Sequence, residues 1–155
     1  MATTETDIEK RDALDSVRID QLHAATLKAS DSCFEMKKLC ATLLVATGTL
    51  VSVFNNKTLS AGVFIAGLAV IASFWLADSV GYYYQRRLRA LMDGLILRRG
   101  ERCEPTYTFK AATGVGWLRA AFNGSMVFYL ILAALVSAGW LLWGIGLISA
   151  AAPTG

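Results

Sequence analysis

Ser125-Met-Val-Phe-Tyr-Leu-Ile-Leu-Ala-Ala-Leu-Val-Ser-Ala-Gly-Trp-Leu-Leu-Trp-Gly-Ile-Gly-Leu-Ile-Ser-Ala-Ala-Ala152 carries no charged side chain. A helix rises about 1.5 Å per residue, so this stretch is long enough to cross a hydrocarbon core of roughly 30 Å. It contains Trp140, Leu141, Leu142 and Trp143 and is longer than a buried core helix normally is. The stretch predicts an integral membrane protein, a class that removes most enzymes from consideration.

Two further apolar stretches lie upstream, 39–54 and 59–84, the second broken only by Asp78. The second is long enough to span. The first reaches across if Lys37 and Lys38 snorkel to the headgroups and Asn55, Asn56 and Lys57 sit at the far surface. The short polar turn between them makes a transmembrane hairpin. The expected fold is an all-α membrane protein: three transmembrane helices with amphipathic cytosolic helices. Its parts are a cytosolic N-terminal helical segment (1–38), the hairpin (39–84), a cytosolic basic helix, loop and interfacial helix (85–124), and a third transmembrane helix (125–152).

Composition agrees: 55% of the 155 residues are hydrophobic, and the mean hydropathy is +0.47. A chain of this size has no room for a large soluble core beside three spans, so packing between helices or subunits should carry much of its stability. The polar, acidic N-terminus has no basic-then-apolar leader pattern, which leaves the first span as the insertion signal. The turn after the first span holds only Lys57, whereas the segment before the third holds Arg86, Arg87, Arg89, Arg98, Arg99, Arg102, Lys110 and Arg119. The positive-inside rule then expects a multi-pass protein of the bacterial inner membrane, N-terminus cytosolic and C-terminus periplasmic.

Thr6-Asp-Ile-Glu9 reads as a capping box that opens a helix to about Ala29, and Ser32-Cys-Phe-Glu35 as a second box that starts the next helix. The apolar residues of the first helix form a loose stripe without a clean heptad. Past the second span, Leu88, Leu91, Met92 and Leu95 continue a helix that Gly94 weakens and Gly100 is placed to stop. Its arginines suit anionic headgroups, and Arg98 and Arg99 also suit the acidic N-terminal segment. Thr106-Tyr-Thr-Phe-Lys110 alternates as a short extended segment does. Trp117, Leu118, Ala121 and Phe122 mark an interfacial helix, with Arg119 directed to headgroups. Arg86, Arg87, Trp117 and Arg119 are the lipid-headgroup candidates.

Catalytic and cofactor signals are missing. His23 is the single histidine, Gly114-Val-Gly116 lacks the third glycine and the strand of a dinucleotide fingerprint, and there is no Walker A sequence. No catalytic, cofactor or metal site is expected, and no nucleic-acid fold signature accompanies the basic loop. Cys33 and Cys40, seven apart, read as small apolar side chains at a helix interface. Small-residue pairs at Gly48/Ser52, Gly62/Ala66 and Ala134/Ala138 favour tight packing within or between subunits.

An ionisable group in a span is a functional candidate. Asp78 lies roughly 28 Å along its helix from Leu59, close to the cytosolic interface. The commonplace expectation pairs it with Arg86 or Arg87, or with the hydroxyl of Tyr82 or Tyr84; the sharper one places it in a pore-lining ring. Asp78, Tyr82, Gln85 and Arg89 fall on one face that protein or water should bury. With Arg86, they are the candidates for an oligomer interface or pore mouth.

Phe74-Trp-Leu-Ala-Asp78-Ser-Val-Gly-Tyr-Tyr-Tyr-Gln-Arg-Arg-Leu-Arg89 resembles a pattern in small bacterial membrane proteins, a Trp and Asp ending a span before a Tyr- and Arg-rich helix. It is similar to the SLATT proteins, membrane effectors of anti-phage systems, and to RipA-type octameric membrane proteins. Trp75, Asp78, Tyr82, Tyr83, Gln85, Arg86 and Arg89 carry the likeness. A SLATT unit is a two-span hairpin, so the third span leans toward the octameric type, and no nucleotide-sensor domain is visible. The resemblance implies a non-enzymatic homo-oligomer of the inner membrane, a pore-forming or membrane-disrupting effector. The alternative is a membrane anchor that recruits a cytosolic protein partner through 12–28 and 88–99.

Overall fold

The computed structural model of the chain describes residues 2–54, 60–104, 106–110 and 116–148. Among the described residues all regular elements are helical: α1 (Ala2–Phe54), α2 (Ala61–Cys103), α3 (Trp117–Ala121), a 3-10 turn (Gly124–Met126) and α4 (Val127–Gly144). Two of these helical stretches are long and apolar enough to cross a membrane, α2 with a mean hydropathy of 2.0 in its best window and Gly124–Gly144 with 2.1. The turn expected between the first two spans lies outside the described residues.

α1 is one continuous helix, which corrects the expected break at Ser30-Asp31. No Gly or Pro occurs before Gly48, so nothing in the backbone stops propagation. Ser32 does not cap a new start: its hydroxyl donates to the Lys28 carbonyl at 3.0 Å. Thr26, Thr42 and Thr49 bond back to carbonyls one turn earlier in the same way, the interior alternative to a cap. Because α1 begins at Ala2, Thr6 is also interior and the first box is not its start.

α2 runs through Gly94 and past Gly100 to Cys103. The next residue but one is Pro105, which lacks an N–H and restricts the residue before it. The 106–110 segment is irregular and forms no strand; the Tyr107 amide donates to the Glu104 carbonyl at 2.9 Å. A Cβ on Gly100 would run into the Tyr107 ring, so this glycine admits the returning chain and does not end the helix.

The third apolar stretch stops short of its expected end. Gly146 adopts φ 77°, its N–H bonds the Trp143 carbonyl at 3.1 Å, and the Leu147 N–H bonds the Leu142 carbonyl at 3.0 Å. This paired closure is a Schellman stop, which requires a left-handed residue after the helix end. The helix therefore closes at Gly144, and residues 149–152 lie outside the described residues.

The chain divides into two compact units that each take part of both long helices: Met1–Cys33 with Val80–Ala120, and Phe34–Ser79 with Ala121–Gly155. In the first, a row of less exposed positions that steps alternately by three and four runs along each helix, Asp12, Asp15, Ile19, Leu22, Thr26, Ala29 and Cys33 on α1 and Gly81, Gln85, Leu88, Met92, Leu95 and Arg99 on α2, and α2 carries further half-buried residues beside its row. This is the spacing of antiparallel helices packed along a heptad seam. Cys33 Sγ lies 3.2 Å from where a Gly81 Cβ would stand, so the glycine lets the thiol in.

The second unit is a three-helix arrangement of α1, α2 and α4. A Cβ on Gly67 of α2 would touch Val136 of α4 at 3.6 Å and Leu44 of α1 at 3.7 Å, and one on Gly139 would touch Phe64 at 3.4 Å. Phe64 stacks against Trp140 with ring centroids 6.4 Å apart and lies 6.0 Å from Trp143. The close approaches thus fall at Gly67 and Gly139. Within this unit the expected pairs do not supply them: among the described residues an added Cβ at Gly48 would meet nothing within 4 Å and one at Gly62 would meet Ser60, and Ala134 and Ala138 are exposed.

Candidate functional site

Asp78, on the seam face of α2, is fully buried. Its partner is Lys37 of α1, with Nζ 2.5 Å from Oδ2 and a Lys37 side chain only 14% exposed. The same ammonium lies 5.7 Å from the centroid of the Tyr129 ring of α4, and Tyr129 is itself buried. Residues from all three helices of this unit meet here. Neighbouring Ser79, also buried, donates its hydroxyl to the Trp75 carbonyl at 2.7 Å. The Trp75 indole N–H in turn donates to the Ala121 carbonyl at 3.0 Å, and its ring meets Phe122 edge-on at 5.5 Å. Cys40, one turn beyond Lys37, is fully buried.

This arrangement corrects two expectations. Asp78 was expected to reach Arg86, Arg87 or a tyrosine hydroxyl, and Lys37 was expected to extend to headgroups. Along one helix, Arg86 starts roughly 12 Å from Asp78, whereas the antiparallel register sets Lys37 directly beside it. An ammonium and a carboxylate that share a buried site neutralise each other and remove most of the penalty of burying either alone. The Asp78 Oδ1 oxygen is buried without a hydrogen-bond partner.

The remaining candidates on α2 separate. Gln85 is buried and Tyr82 half-buried, while Arg87 and Arg89 are exposed. The one-face expectation therefore holds for Asp78 and Gln85 and fails at Arg89. The seam follows steps of three and four, so Tyr82 and Arg89 drift to its flank. Arg86 is half-buried, with Cζ 5.8 Å above the Tyr82 ring and a buried Nη1 that lacks a partner. On α3, Ala120 and Ala121 are buried, and Trp117, Leu118 and Arg119 are exposed.

Sequence reasoning missed a second cluster, at the far end of the first unit. Arg102 Nη2 lies 2.7 Å from Asp12 Oδ1 and 2.5 Å from Asp15 Oδ2, and Nε donates to Asp12 Oδ1 at 3.0 Å. The acidic segment was expected to meet Arg98 and Arg99. It meets Arg102 because that residue continues the seam, a position the step of three from Arg99 identifies. The Arg102 hydrogen bond holds the Asp15 carboxyl below its ordinary range, with Arg98 and Arg18 pulling the same way. The Asp15 bond in turn raises Arg102.

Cys33 and Cys40 are buried and Cys103 is exposed, and no disulfide joins any two of them. Among the described residues no group of three or more His, Cys, Asp or Glu side chains comes together. Comparison with known proteins finds no matching family, no matching curated protein and no matching solved structure.

Proposed function

We propose that this chain is a non-enzymatic, homo-oligomeric protein of the bacterial inner membrane that acts as a membrane-disrupting effector. Its three crossings are residues 39–54, the first part of α2, and α4. The N-terminal part of α1 and the C-terminal part of α2 lie in the cytosol. Arg86, Arg87, Trp117 and Arg119 meet anionic headgroups.

The observation that carries the oligomer is the exposure of large apolar side chains in the unit assigned to the cytosol. Leu14 is 66% exposed, Val17 55%, Leu27 53% and Leu91 55%. Lipid would cover such residues in a span, but on a cytosolic helix pair only protein can. The Lys37–Asp78 pair supports three crossings, because it ties the first apolar stretch to the second with no net charge left in the bilayer. It also moves Asp78 from the rim of a pore to the joint between helices, where it would hold a pore-forming arrangement together.

A second reading keeps the membrane anchor and replaces the copies with a cytosolic partner. Favouring it is an open groove of about 530 Å³ between residues 18–25 and 91–98, inside the two segments first assigned to recruitment. Membrane potential separates the readings. Induced expression in a bacterial host carrying a potential-sensitive dye should depolarise the cells with the intact chain and spare them with Asp78→Ala. An intact chain that reaches the membrane and leaves the potential unchanged would overturn the effector reading and leave the anchor.

A further inference from the structure

The groove in the first unit has an apolar floor, Leu22 and Ala25 from α1 and Leu91 and Leu95 from α2. Arg18 stands on one wall and Arg98 on the other. Among the described residues neither guanidinium has an ion-pair partner. Both act on Asp15, but that carboxylate is bonded to Arg102. Two like charges facing one cleft repel each other until an anion joins them.

The outward side of α1 carries a second stripe at steps of four and three: Ala13, Val17, Asp20, Ala24 and Leu27, all exposed. Asp20 is its one acidic residue, and no ion pair reaches it among the described residues. The stripe is thus apolar with a single carboxylate, complementary to an apolar groove with a pair of guanidiniums.

We infer that the groove receives the outer stripe of α1 from a second copy of this chain, with Asp20 of that copy set between Arg18 and Arg98. This inference rests on the oligomer proposed above and names its interface. With Asp20 seated between Arg18 and Arg98 and the two copies of α1 running in the same direction, residues 17–24 of the second copy lie along the groove. Within the first unit the antiparallel register sets position 24 of α1 opposite Leu91 of α2. A helical side chain leans toward the N-terminus, which carries the Asp20 carboxylate toward the level of Arg98. Groove and stripe lie on different faces, so the contact is heterologous: it does not stop at a two-fold dimer, and it builds a ring when the rotation between copies closes.

The test combines mass with crosslinking, on the full chain in nanodiscs. Arg98→Asp and Asp20→Arg should each reduce the multimer to single copies, and the double variant, which exchanges the charges, should restore it. In a Cys103→Ser background, Ala24→Cys with Leu91→Cys should give an oxidised ladder from dimer upward that neither single cysteine gives, a readout independent of charge and of any folding defect in the arginine variant. A multimeric wild type that is indifferent to both charge changes and forms no such crosslink would overturn this interface while leaving the oligomer standing. A multimer that instead loses bound anionic phospholipid on Arg98→Asp would overturn it in favour of a lipid occupant. A monomeric wild type would sink the oligomer itself.

Discussion

Asp78 and Lys37 matter as a pair and are harmful singly. With the carboxylate fully buried and the ammonium nearly so, Asp78→Ala leaves a cation in an apolar site without its counter-charge. The expected loss is about 3 kcal/mol or more, read from denaturant unfolding in a mild detergent. Replacing both, Asp78→Leu with Lys37→Met, should recover most of it; equal stability of Asp78→Ala and wild type would show that the pair holds nothing. The Arg102 cluster differs because water reaches it, and its signature is pH dependence. Asp15 releases its proton more readily in the folded chain. The contact therefore contributes stability that is fully present above the unfolded carboxylate range, roughly pH 4, and is lost as pH falls through the lower folded value. The thermal midpoint of the wild type should fall more between about pH 5 and about pH 3 than that of Arg102→Gln. Equal slopes would contradict the assignment.

Among the elements, α2 offers a matched pair of glycines. Among the described residues an alanine at Gly94 would meet nothing within 4 Å, so Gly94→Ala should stabilise the helix by up to about 1 kcal/mol through reduced backbone entropy in the unfolded chain. The same change at Gly100 meets the Tyr107 ring. It should bring no such gain and should free residues 106–110 for cleavage after Lys110 by trypsin. If both variants behaved alike, Tyr107 would not be seated as described. The first part of α2 and α4 were legible in the sequence from apolar length, and the rest of α2 from its i, i+3, i+4 pattern. The seam of α1 and α2 was not, because Thr26, Ala29, Cys33 and Cys40 on the inner positions are small or polar, while Leu14, Val17, Leu27 and Phe34 face outward. A search for large apolar residues at heptad spacing finds the outside of α1 first. Continuity through Ser32 was hidden for a related reason: a serine followed by a glutamate reads as a cap, and only the Lys28 carbonyl reveals its interior role.

For the whole molecule, the decisive juxtapositions join residues far apart in sequence. Lys37 and Asp78 were each noticed by type and depth, but their pairing follows from the antiparallel register of two helices, which neither local sequence carries. Arg102 with Asp12 and Asp15 depends on the same register, as does the groove between Arg18 and Arg98. The proposed assembly from identical copies rests on an apolar surface on the unit assigned to the cytosol and on a cleft with two guanidiniums that complements an apolar stripe with one carboxylate. The most direct test is the native mass of the intact chain in nanodiscs of bacterial phospholipid. A single discrete multimer is expected, one that dissociates on Arg98→Asp. A monomer across the accessible concentration range would contradict it.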